Sequence, residues 1–223
     1  MNFLLVEDLP ATPLQKDFVL QLSRQMQRSL LTLSALPDDI DLYIEQNEVD
    51  ILFIVCHSAA RRVQSLLNQC RTLRIPYVFL TDTMQHINPL QRLLLPVTML
   101  EEEVHKVHVA SPLARYTGAE VLLLQARDYG HRALQHTQKI QTALSKVNIP
   151  YQTIGGKTDS FRLYKESVDR QREMHADMVL LTASRDYGLD DLIFGPPERH
   201  AVLRSHCPVL LLNPRGDLYT LCD

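Results

Sequence analysis

Short apolar runs alternate with longer amphipathic segments along the whole chain. The runs are four to six residues long and lie at positions 3–6, 30–33, 51–56, 77–80, 93–97, 120–125, 151–154, 178–182 and 209–212. All but the segment at 151–154, which is YQTI, are rich in valine, isoleucine and leucine. Continuous apolar runs are typical of strands that are buried on both faces, as in a parallel sheet covered by helices on each side. The alternation therefore predicts an α/β fold with a doubly wound parallel sheet.

The segments between the runs have the periodicity of amphipathic helices. Thr12 and Pro13 suit the N-cap and N1 positions of a first helix. Its apolar face repeats every four residues as Leu14, Phe18, Leu22 and Met26. Further helices are expected at 63–73, 101–116, 131–147, 160–174 and 197–206. Pro112 predicts a kink in the helix at 101–116, and Gly118 suits the C′ position that follows it.

The two halves of the chain end alike, which indicates an internal repeat. Residues 50–58 align with 177–184, 75–81 with 207–213, and 2–8 with 92–98. Ser58 and Pro76 are 18 positions apart, whereas Ser184 and Pro208 are 24 apart, so the front copy has lost six residues at this point. The front copy also lacks one βα unit. We therefore expect a tandem of two units, a truncated one at 1–88 and a full one at 89–223.

Glycine is scarce and unevenly placed. The chain has 7 glycines in 223 residues, all between Gly118 and Gly216, so the first 117 residues contain none. A loop that holds a phosphate against its backbone normally needs glycine, because a Cβ obstructs the close approach. A nucleotide site in the first half is therefore not expected. The net charge of −3 also argues against a surface for nucleic acid or anionic membranes, which would carry a basic patch.

The sequence carries no export or membrane signal, and we expect a cytoplasmic location. The N-terminus has no basic segment before its apolar positions, and no apolar run approaches the length of a membrane span. The cysteines form neither a CxxC pair nor a regular framework: Cys56, Cys70, Cys207 and Cys222. In a chain without an export signal they are expected to be reduced thiols.

Five segments of the second half form a pattern when they are taken together and in order. They are RLLLPV at 92–97, TGAEVLLL at 117–124, ADMVLL at 176–181, GLDDLIFG at 188–195 and VLRSHCPVLLL at 202–212. In this pattern the second half resembles the universal stress protein family along essentially its whole length, and the first half resembles a shortened copy. The resemblance implies two adenine nucleotide alpha hydrolase-like units in tandem, the first of them truncated.

The nucleotide-binding motif of that family is degenerate in this chain. In the nucleotide-binding branch, the loop after the fourth strand is glycine, two residues, glycine, nine residues, glycine and then serine or threonine, and its backbone N–H groups cradle phosphates. With the last glycine at Gly195, Thr182 and Arg185 fall on the other two glycine positions. Pro196 falls on the hydroxyl position and offers neither an N–H nor a hydroxyl. The side chains of Thr182 and Arg185 would crowd the phosphate path.

The aspartate that the family places after its first strand is also missing from the second half. The equivalent position holds Thr98. The first half has the aspartate, as Asp8, but its phosphate loop is deleted. The resemblance therefore implies that neither half holds a complete nucleotide site.

The first function that follows from this resemblance is a universal stress protein-like module of the type that does not bind ATP. Such a module acts in stress response through a protein partner or dimerisation, and we assign it no catalytic residues, no metal ligands and no cofactor. In the family the last strand often pairs antiparallel across a dimer. Here the strands at 77–80 and 209–212 can pair within one chain.

The alternative is an ATP- or AMP-binding protein, or a slow ATP hydrolase, with a non-standard pocket beyond the carboxyl ends of the strands. Its cofactor-binding residues would be Thr98, Thr182, Ser184, Arg185 and Gly195, with help from Lys157. Arg185 could bind an anion through its side chain in place of the lost backbone cradle. A third class, a sensor of a small molecule or an ion, has no residue that identifies its ligand.

A glycine-rich segment, GGKT at 155–158, follows a predicted strand and precedes a predicted helix. A phosphate-binding loop would need a glycine five residues before Gly156, and Tyr151 stands there. We therefore expect a turn in which Thr158 or Ser160 caps the next helix, with an anion at that helix start as the alternative.

Histidines form two arrangements that resemble reactive sites. His105 and His108 are three positions apart on a predicted helix, and we expect a solvated face there rather than a metal site. Two adjacent pairs combine a histidine with a nucleophile: His57 with Ser58, and His206 with Cys207. Neighbouring residues point to different faces of a strand or helix, which argues against a nucleophile and its base.

Overall fold

A computed structural model describes residues 1–184 and 196–214, which form one nine-stranded sheet between two layers of helices. The strands are β1 (Asn2–Glu7), β2 (Ser29–Leu33), β3 (Val49–Cys56), β4 (Tyr77–Thr81), β5 (Arg92–Val97), β6 (Glu120–Gln125), β7 (Tyr151–Gly155), β8 (Met178–Thr182) and β9 (Val209–Leu212). The helices are α1 (Pro13–Gln25), α2 (Ile40–Gln46), α3 (Ala60–Cys70), α4 (Val107–Thr117), α5 (Arg132–Lys146), α6 (Leu163–Asp169) and α7 (Pro197–Arg204). A 3₁₀ helix at Glu101–Lys106 leads into α4.

The sheet consists of two sets of strands that run in opposite directions. Its order is β2-β1-β3-β4-β9-β8-β5-β6-β7. We call β1–β4 the front half and β5–β9 the back half. They meet where β4 and β9 pair antiparallel, from Tyr77 opposite Leu211 to Phe79 opposite Val209. All other neighbouring strands of the described chain pair parallel. The predicted α/β fold is confirmed, and the two last strands pair within the chain as expected.

Side chains of the strands pack into a hydrophobic core on each face of the sheet. In β3, Phe53 and Val55 belong to the core that is covered by α1, α4 and α5. Leu52 and Ile54 belong to the core that is covered by α3, α6 and α7. Because both faces of the inner strands are buried, these strands need apolar residues at every position rather than at alternate ones. The edge strands β2 and β7 are only partly buried and carry polar residues as well.

An asparagine side chain ties the two halves together at their junction. The hydroxyl of Tyr77 donates to Oδ1 of Asn213 (2.9 Å), and Nδ2 of Asn213 donates to the carbonyls of Cys70 (2.8 Å) and Leu73 (2.9 Å). Both Tyr77 and Asn213 are buried. Buried polar groups are costly unless they are hydrogen-bonded, so this network favours one register of β4 against β9.

The first helix begins as predicted but buries a different residue in its first turn. Thr12 caps α1 in a capping box with Gln15, and Pro13 stands in the first turn. Leu14, expected on the apolar face, is 49% exposed. Gln15 is buried instead, because its side-chain amide donates to the carbonyl of Thr81 (3.1 Å) at the end of β4.

Left-handed residues follow several helical segments of the described chain, and most of them are not glycine. Positive φ angles occur at Gln27 (55°) after α1, Glu48 (48°) after α2, Asn148 (55°) after α5 and His175 (52°) in the turn after α6. Gly118, predicted at a C′ position, has a φ of 76° after α4. The left-handed conformation costs a non-glycine residue roughly 1–2 kcal/mol. The scarcity of glycine therefore stores strain at these helix ends.

Three helical segments differ from the sequence prediction. The short helix α2 is not among the predicted ones; Asp39 caps it by accepting the N–H of Leu42 (3.0 Å). The segment 101–116 starts as a 3₁₀ helix and continues as α4 through Pro112. The prediction of a helix over 160–174 is too long. Only α6 is α-helical there, and turns precede and follow it. On its N-terminal side, Asp128 accepts both the N–H and the hydroxyl of Ser160 and holds it outside the helix.

The described cysteines are buried free thiols. They are Cys56, Cys70 and Cys207, and Cys222 lies outside the described residues. Burial raises the pKa of the Cys56 and Cys207 thiols to about 12, so neither is a ready nucleophile. Across 1–184 and 196–214, every helix is too short or too polar to cross a membrane.

Candidate functional site

The carboxyl ends of β5 and β8 lie side by side and border a cavity of about 310 Å³. Three predicted site residues line this cavity: Thr98 just after β5, Thr182 at the end of β8, and Ser184 two positions further. Apolar residues complete much of the wall, namely Leu100, Phe161, Pro197 and Pro214. Arg185 and Gly195 lie outside the described residues. We call this space the β5/β8 cavity.

A buried ion pair lies behind the wall of the β5/β8 cavity. Glu103 and Lys106, both on the 3₁₀ helix, are fully buried and form a salt bridge. The ammonium of Lys106 also donates to the carbonyl of Pro96 (2.7 Å). Oε1 of Glu103 accepts the hydroxyls of Thr98 (2.8 Å) and Tyr164 (2.8 Å), which both line the cavity. The ion pair therefore orients two polar residues of the wall.

Burial sets the protonation of this network. Burial lowers the pKa of Lys106, and the negative charge of Glu103 opposes that shift. Burial and the same carboxylate raise the pKa of Tyr164 well above its ordinary value. Tyr164 therefore stays a neutral donor to Glu103, while its oxygen accepts the backbone N–H of Thr182 (3.2 Å).

Thr182 leaves one polar group unused at the cavity. Its side chain is largely buried, at 7% exposure, and Oγ1 has no hydrogen-bond partner within the described part of the chain. A buried hydroxyl without a partner costs about 1–3 kcal/mol. A polar atom of a ligand in the β5/β8 cavity would offer Thr182 the missing bond.

The carboxylate of Glu198 lies at the start of α7. Glu198 is only 1% exposed, and its two oxygens accept the N–H (3.1 Å) and the hydroxyl (2.9 Å) of Ser184. Pro196 and Pro197 open this helix, and neither has an N–H. The helix start therefore carries its own negative charge, and the donors of Ser184 are already used.

A second carboxylate fills the loop after β7. Glu166 accepts the N–H of Lys157 (2.9 and 3.0 Å), the N–H of Thr158 (2.8 Å) and the hydroxyl of Thr158 (2.6 Å). It also pairs with Arg170 (2.6 Å). Burial alone would raise the pKa of Glu166, but these hydrogen bonds outweigh burial and hold the pKa below its usual value. The N–H groups of the GGKT loop thus bind the carboxylate of Glu166, which occupies the place where an external anion could lie.

This arrangement corrects two sequence expectations about the GGKT segment. Neither Thr158 nor Ser160 caps α6, because Glu166 and Asp128 take their hydroxyls; Arg162 stands at the N-cap and makes no side-chain cap bond. Lys157, expected to help at the nucleotide pocket, does not line the β5/β8 cavity.

Two hydrogen-bonded carboxylates lie at the corresponding edge of the front half, at the ends of β1, β3 and β4. Asp8, which directly follows β1, accepts two hydrogen bonds from the guanidinium of Arg62. Asp82 accepts the N–H of Ser58 (2.8 Å) and bonds Nδ1 of His57 (2.8 Å). Burial would raise the pKa of Asp82, but the bonds from His57 and Ser58 hold it below its usual value. His57 and Ser58 thus both face a carboxylate.

The paired histidines of the 3₁₀ helix and α4 stack on each other. The ring centroids of His105 and His108 are 6.3 Å apart. Burial and the neighbouring His105 lower the pKa of His108. Within the described ranges, no group of three or more histidine, cysteine, aspartate or glutamate residues could hold a metal ion.

Comparison with solved structures identifies this arrangement of strands and helices. A universal stress protein from Archaeoglobus fulgidus DSM 4304 superposes with a TM-score of 0.63 at 13% identity, over 91% of this chain and 77% of that one. The chain has the universal stress protein fold. A functionally unknown protein from Pseudomonas aeruginosa PAO1 matches with a TM-score of 0.54 at 13% identity, over 97% of this chain and 83% of that one. Neither a family model nor a curated protein matches the sequence.

Within this universal stress protein fold, the sequence missed the charged residues that shape the site. Glu198 stands in the first turn of a helix, where acidic residues are common, and that position was its only signal. Glu103 and Lys106 are three apart, the spacing of a surface ion pair as much as of a buried one. Their burial depends on the surrounding sheet, so the sequence alone could not separate these two cases.

Proposed function

We propose that the chain is a universal stress protein-like module of the type that does not bind ATP, and that it acts in stress response through protein interaction or dimerisation. The main support for the absence of ATP binding is the buried carboxylate of Glu198 at the start of α7. In open α/β sheets, phosphates bind at helix starts that follow the carboxyl ends of the strands. The charge of Glu198 opposes a phosphate at the helix that starts beyond β8.

The loops of the back half support the same conclusion. Glu198 uses the donors of Ser184 after β8, and Glu166 uses the N–H groups of Lys157 and Thr158 after β7. Each of these carboxylates satisfies backbone groups that a bound phosphate would otherwise satisfy. These N–H and hydroxyl donors are therefore already hydrogen-bonded within the chain and are not available to a nucleotide.

Exposed apolar side chains support the interaction part of the proposal. Leu100, Tyr129 and Phe161 follow β5, β6 and β7, whose carboxyl ends lie at one edge of the sheet, and all three are exposed. Large apolar residues that share an edge are typical of a contact surface. We propose that a partner protein or a second copy of the chain covers this surface.

The sheet order supports a tandem origin, with units at 1–88 and 89–223. Counted outwards from the junction, the front half is β4-β3-β1-β2 and the back half is β9-β8-β5-β6-β7. The two series follow the same path, and the front one is a strand shorter.

The free thiols of Cys56, Cys70 and Cys207 support a cytoplasmic location, where cysteines stay reduced.

Isothermal titration with ATP and AMP, with and without magnesium, tests the absence of nucleotide binding. We expect no heat of binding up to millimolar nucleotide, and a micromolar Kd for the wild type would overturn the proposal. Glu198→Gln is the matched variant, because it removes the charge and keeps the shape. Any nucleotide affinity should be higher in Glu198→Gln than in the wild type.

Sedimentation equilibrium tests the interaction surface. If a second copy covers it, the wild type should form dimers, and the double variant Tyr129→Ser, Phe161→Ser should be monomeric. Leu42→Ser, at an exposed leucine of α2 in the front half, is the control. A wild type that stays monomeric would exclude the dimer and leave a different partner protein.

The second candidate function is nucleotide binding or slow ATP hydrolysis in the β5/β8 cavity. The unpaired Oγ1 of Thr182 favours it, because Thr98, Thr182 and Ser184 line one space. ATP or AMP would then be the cofactor, with Arg185 and Gly195 completing the site. Under this candidate, Thr182→Val should weaken AMP binding, whereas under the first proposal neither form binds AMP.

A further inference from the structure

A second cavity lies on the opposite edge of the back half. It has a volume of about 610 Å³, within the range of small-molecule sites. Three loops line it: the β4–β5 connection, the segment before β8 and the segment before β9. Since β8 runs from Met178 to Thr182, this cavity and the β5/β8 cavity are roughly 17 Å apart along the strand. We call it the junction cavity.

Nitrogen-bearing side chains dominate the wall of the junction cavity. They include His86, Asn88, Gln171, Arg172, His175 and His206, with the amide of Gln85 beside them. Arg172 and the three histidines are exposed, and none of them has an ion-pair partner within the described residues. An imidazole donates an N–H whether it is neutral or charged. The wall therefore presents donors and positive charge to its contents.

The carboxylate in this wall is already compensated. Asp177 is buried at the start of β8, and its oxygens accept the N–H groups of Gln91 (3.0 Å) and Arg92 (2.9 Å) and the amide of Asn88 (3.3 Å). Asp177 is the only acidic side chain among the described residues that line the cavity. Its charge is spread over three donors, so it opposes an anion in the cavity less than a free carboxylate would.

A buried amide supplies a second and independent indication of a ligand. Gln171 is 2% exposed, and its Oε1 lies 2.8 Å from the hydroxyl oxygen of Ser205 and accepts the thiol of Cys207 (3.1 Å). The hydroxyl of Ser205 has one proton and also lies 2.6 Å from the carbonyl oxygen of Cys207, so the thiol of Cys207 is the donor that orients Oε1 of the amide. Its Nε2 has no hydrogen-bond partner within 1–184 and 196–214. An unpaired buried donor is costly, and an acceptor atom of a ligand would satisfy it.

We propose that the junction cavity binds a small organic polyanion, a metabolite that carries phosphate or several carboxylate groups. Arg172 and the histidines would contact its charged oxygens, and Gln171 would contact an oxygen at the inner wall. A metal ion does not fit, because the thiol of Cys207 is protonated and no cluster of ligands lies within the described residues. An apolar ligand does not fit a wall of donors.

Isothermal titration with inorganic pyrophosphate and with citrate tests this proposal on the whole chain. We expect at least one of the two probes to bind, and the probe that binds tells phosphate from carboxylate. Arg172→Gln and His175→Gln should each raise its Kd roughly tenfold or more, because each removes a charge-assisted hydrogen bond. Both residues are exposed, so neither substitution opens a cavity in the core.

Two controls separate this site from other sources of binding. Arg61→Gln removes an exposed arginine of α3 in the front half, and Thr182→Val changes the β5/β8 cavity; both should leave the Kd unchanged. The proposal is overturned if neither probe binds at millimolar concentration. It is also overturned if Arg172→Gln binds the probe as tightly as Arg61→Gln does.

Discussion

The front and back halves of the sheet use the same path of strands but close their carboxyl edges differently. In the front half, Asp8 after β1 pairs with Arg62, whose side chain is 41% exposed. In the back half, the pair that follows β5 is Glu103 with Lys106, and both side chains are fully buried. A cavity borders the buried pair, with Thr98 bonded to Glu103 in its wall.

This difference shows that loops, and not strands, decide what each edge can hold. The inner strands of both halves are continuous apolar runs that pair in the same order. The charges differ in their surroundings: a partly exposed pair is screened by water and contributes little, whereas a buried pair must recover a large desolvation cost. Removing one partner of the buried pair should therefore destabilise the protein more than removing one partner of the partly exposed pair.

The largest expected effect comes from breaking the buried pair. Lys106→Met would leave the Glu103 carboxylate uncompensated beneath the β5/β8 cavity. We expect a loss of about 3–5 kcal/mol in the free energy of unfolding, because an unpaired buried charge is strongly unfavourable. Urea denaturation followed by circular dichroism measures this loss.

The double variant Glu103→Gln, Lys106→Met is the control, since it removes both charges and should recover part of the lost stability. Arg62→Gln makes the equivalent change in the front half and should cost about 1 kcal/mol or less. An Arg62→Gln variant as unstable as Lys106→Met would show that the two edges do not differ in the way described.

The next effect concerns a turn that only the back half has. A Cβ on Gly156 would lie 2.7 Å from the carbonyl oxygen of Gln125 and 3.0 Å from Cδ1 of Leu163. Gly156→Ala should therefore cost about 1–3 kcal/mol in thermal or urea unfolding. Gly155→Ala is the matched control, because a Cβ there meets no atom within 4 Å. Equal losses in the two variants would contradict the close approach at Gly156.

The pH dependence of stability should reveal the carboxylate that fills the loop after β7. The pKa of Glu166 is below its usual value in the folded state, so the unfolded state binds the proton more readily. The stabilisation is present above the unfolded pKa of about 4.3 and is lost as the pH falls through the lower folded pKa. Denaturation midpoints between neutral and acidic pH should fall more steeply for the wild type than for Glu166→Gln. If the midpoints of the wild type and Glu166→Gln changed equally with pH, Glu166 would not contribute to the pH dependence of stability.

The smallest effect is a gain. Gln27 after α1 and Asn148 after α5 both have a φ of 55°, in the front and back half respectively. Gln27→Gly should stabilise the protein by about 0.5–1 kcal/mol, because glycine relieves the left-handed strain at some cost in chain entropy. Asn148→Gly should gain less, since asparagine tolerates this conformation better. A stability loss in Gln27→Gly, measured by thermal unfolding, would contradict the assigned strain.

The fold could be predicted from the sequence because its inner strands are buried on both faces. Each predicted strand exists, and none differs from its prediction by more than two residues, as in β3, predicted at 51–56 and found at Val49–Cys56. The short helix α2 escaped prediction because its seven residues bury a single side chain, Ile40. Helix ends were less predictable than strands, since Ser160 is held by Asp128, a partner 32 positions away.

The candidate site could be predicted in its location but not in its charges. Thr98, Thr182 and Ser184 meet because the carboxyl ends of β5 and β8 are neighbours, which follows from the fold. The sequence could not predict that the carboxylates of Glu198 and Glu166 accept hydrogen bonds from loops that precede their helices. Which donor a flexible carboxylate reaches depends on loop geometry in three dimensions, and the sequence pattern contains no period that reports it.

The position of β9 has a consequence for how the chain is made. β9 follows the other eight strands along the chain, yet it lies between β4 and β8 in the middle of the sheet. During synthesis, β4 and β8 therefore leave the ribosome with open backbone edges that nothing covers until Val209–Leu212 emerges. The centre of the sheet is therefore completed last. A nascent chain stopped before β9 would expose the unpaired backbone edges of β4 and β8, and such edges pair with other chains in aggregates.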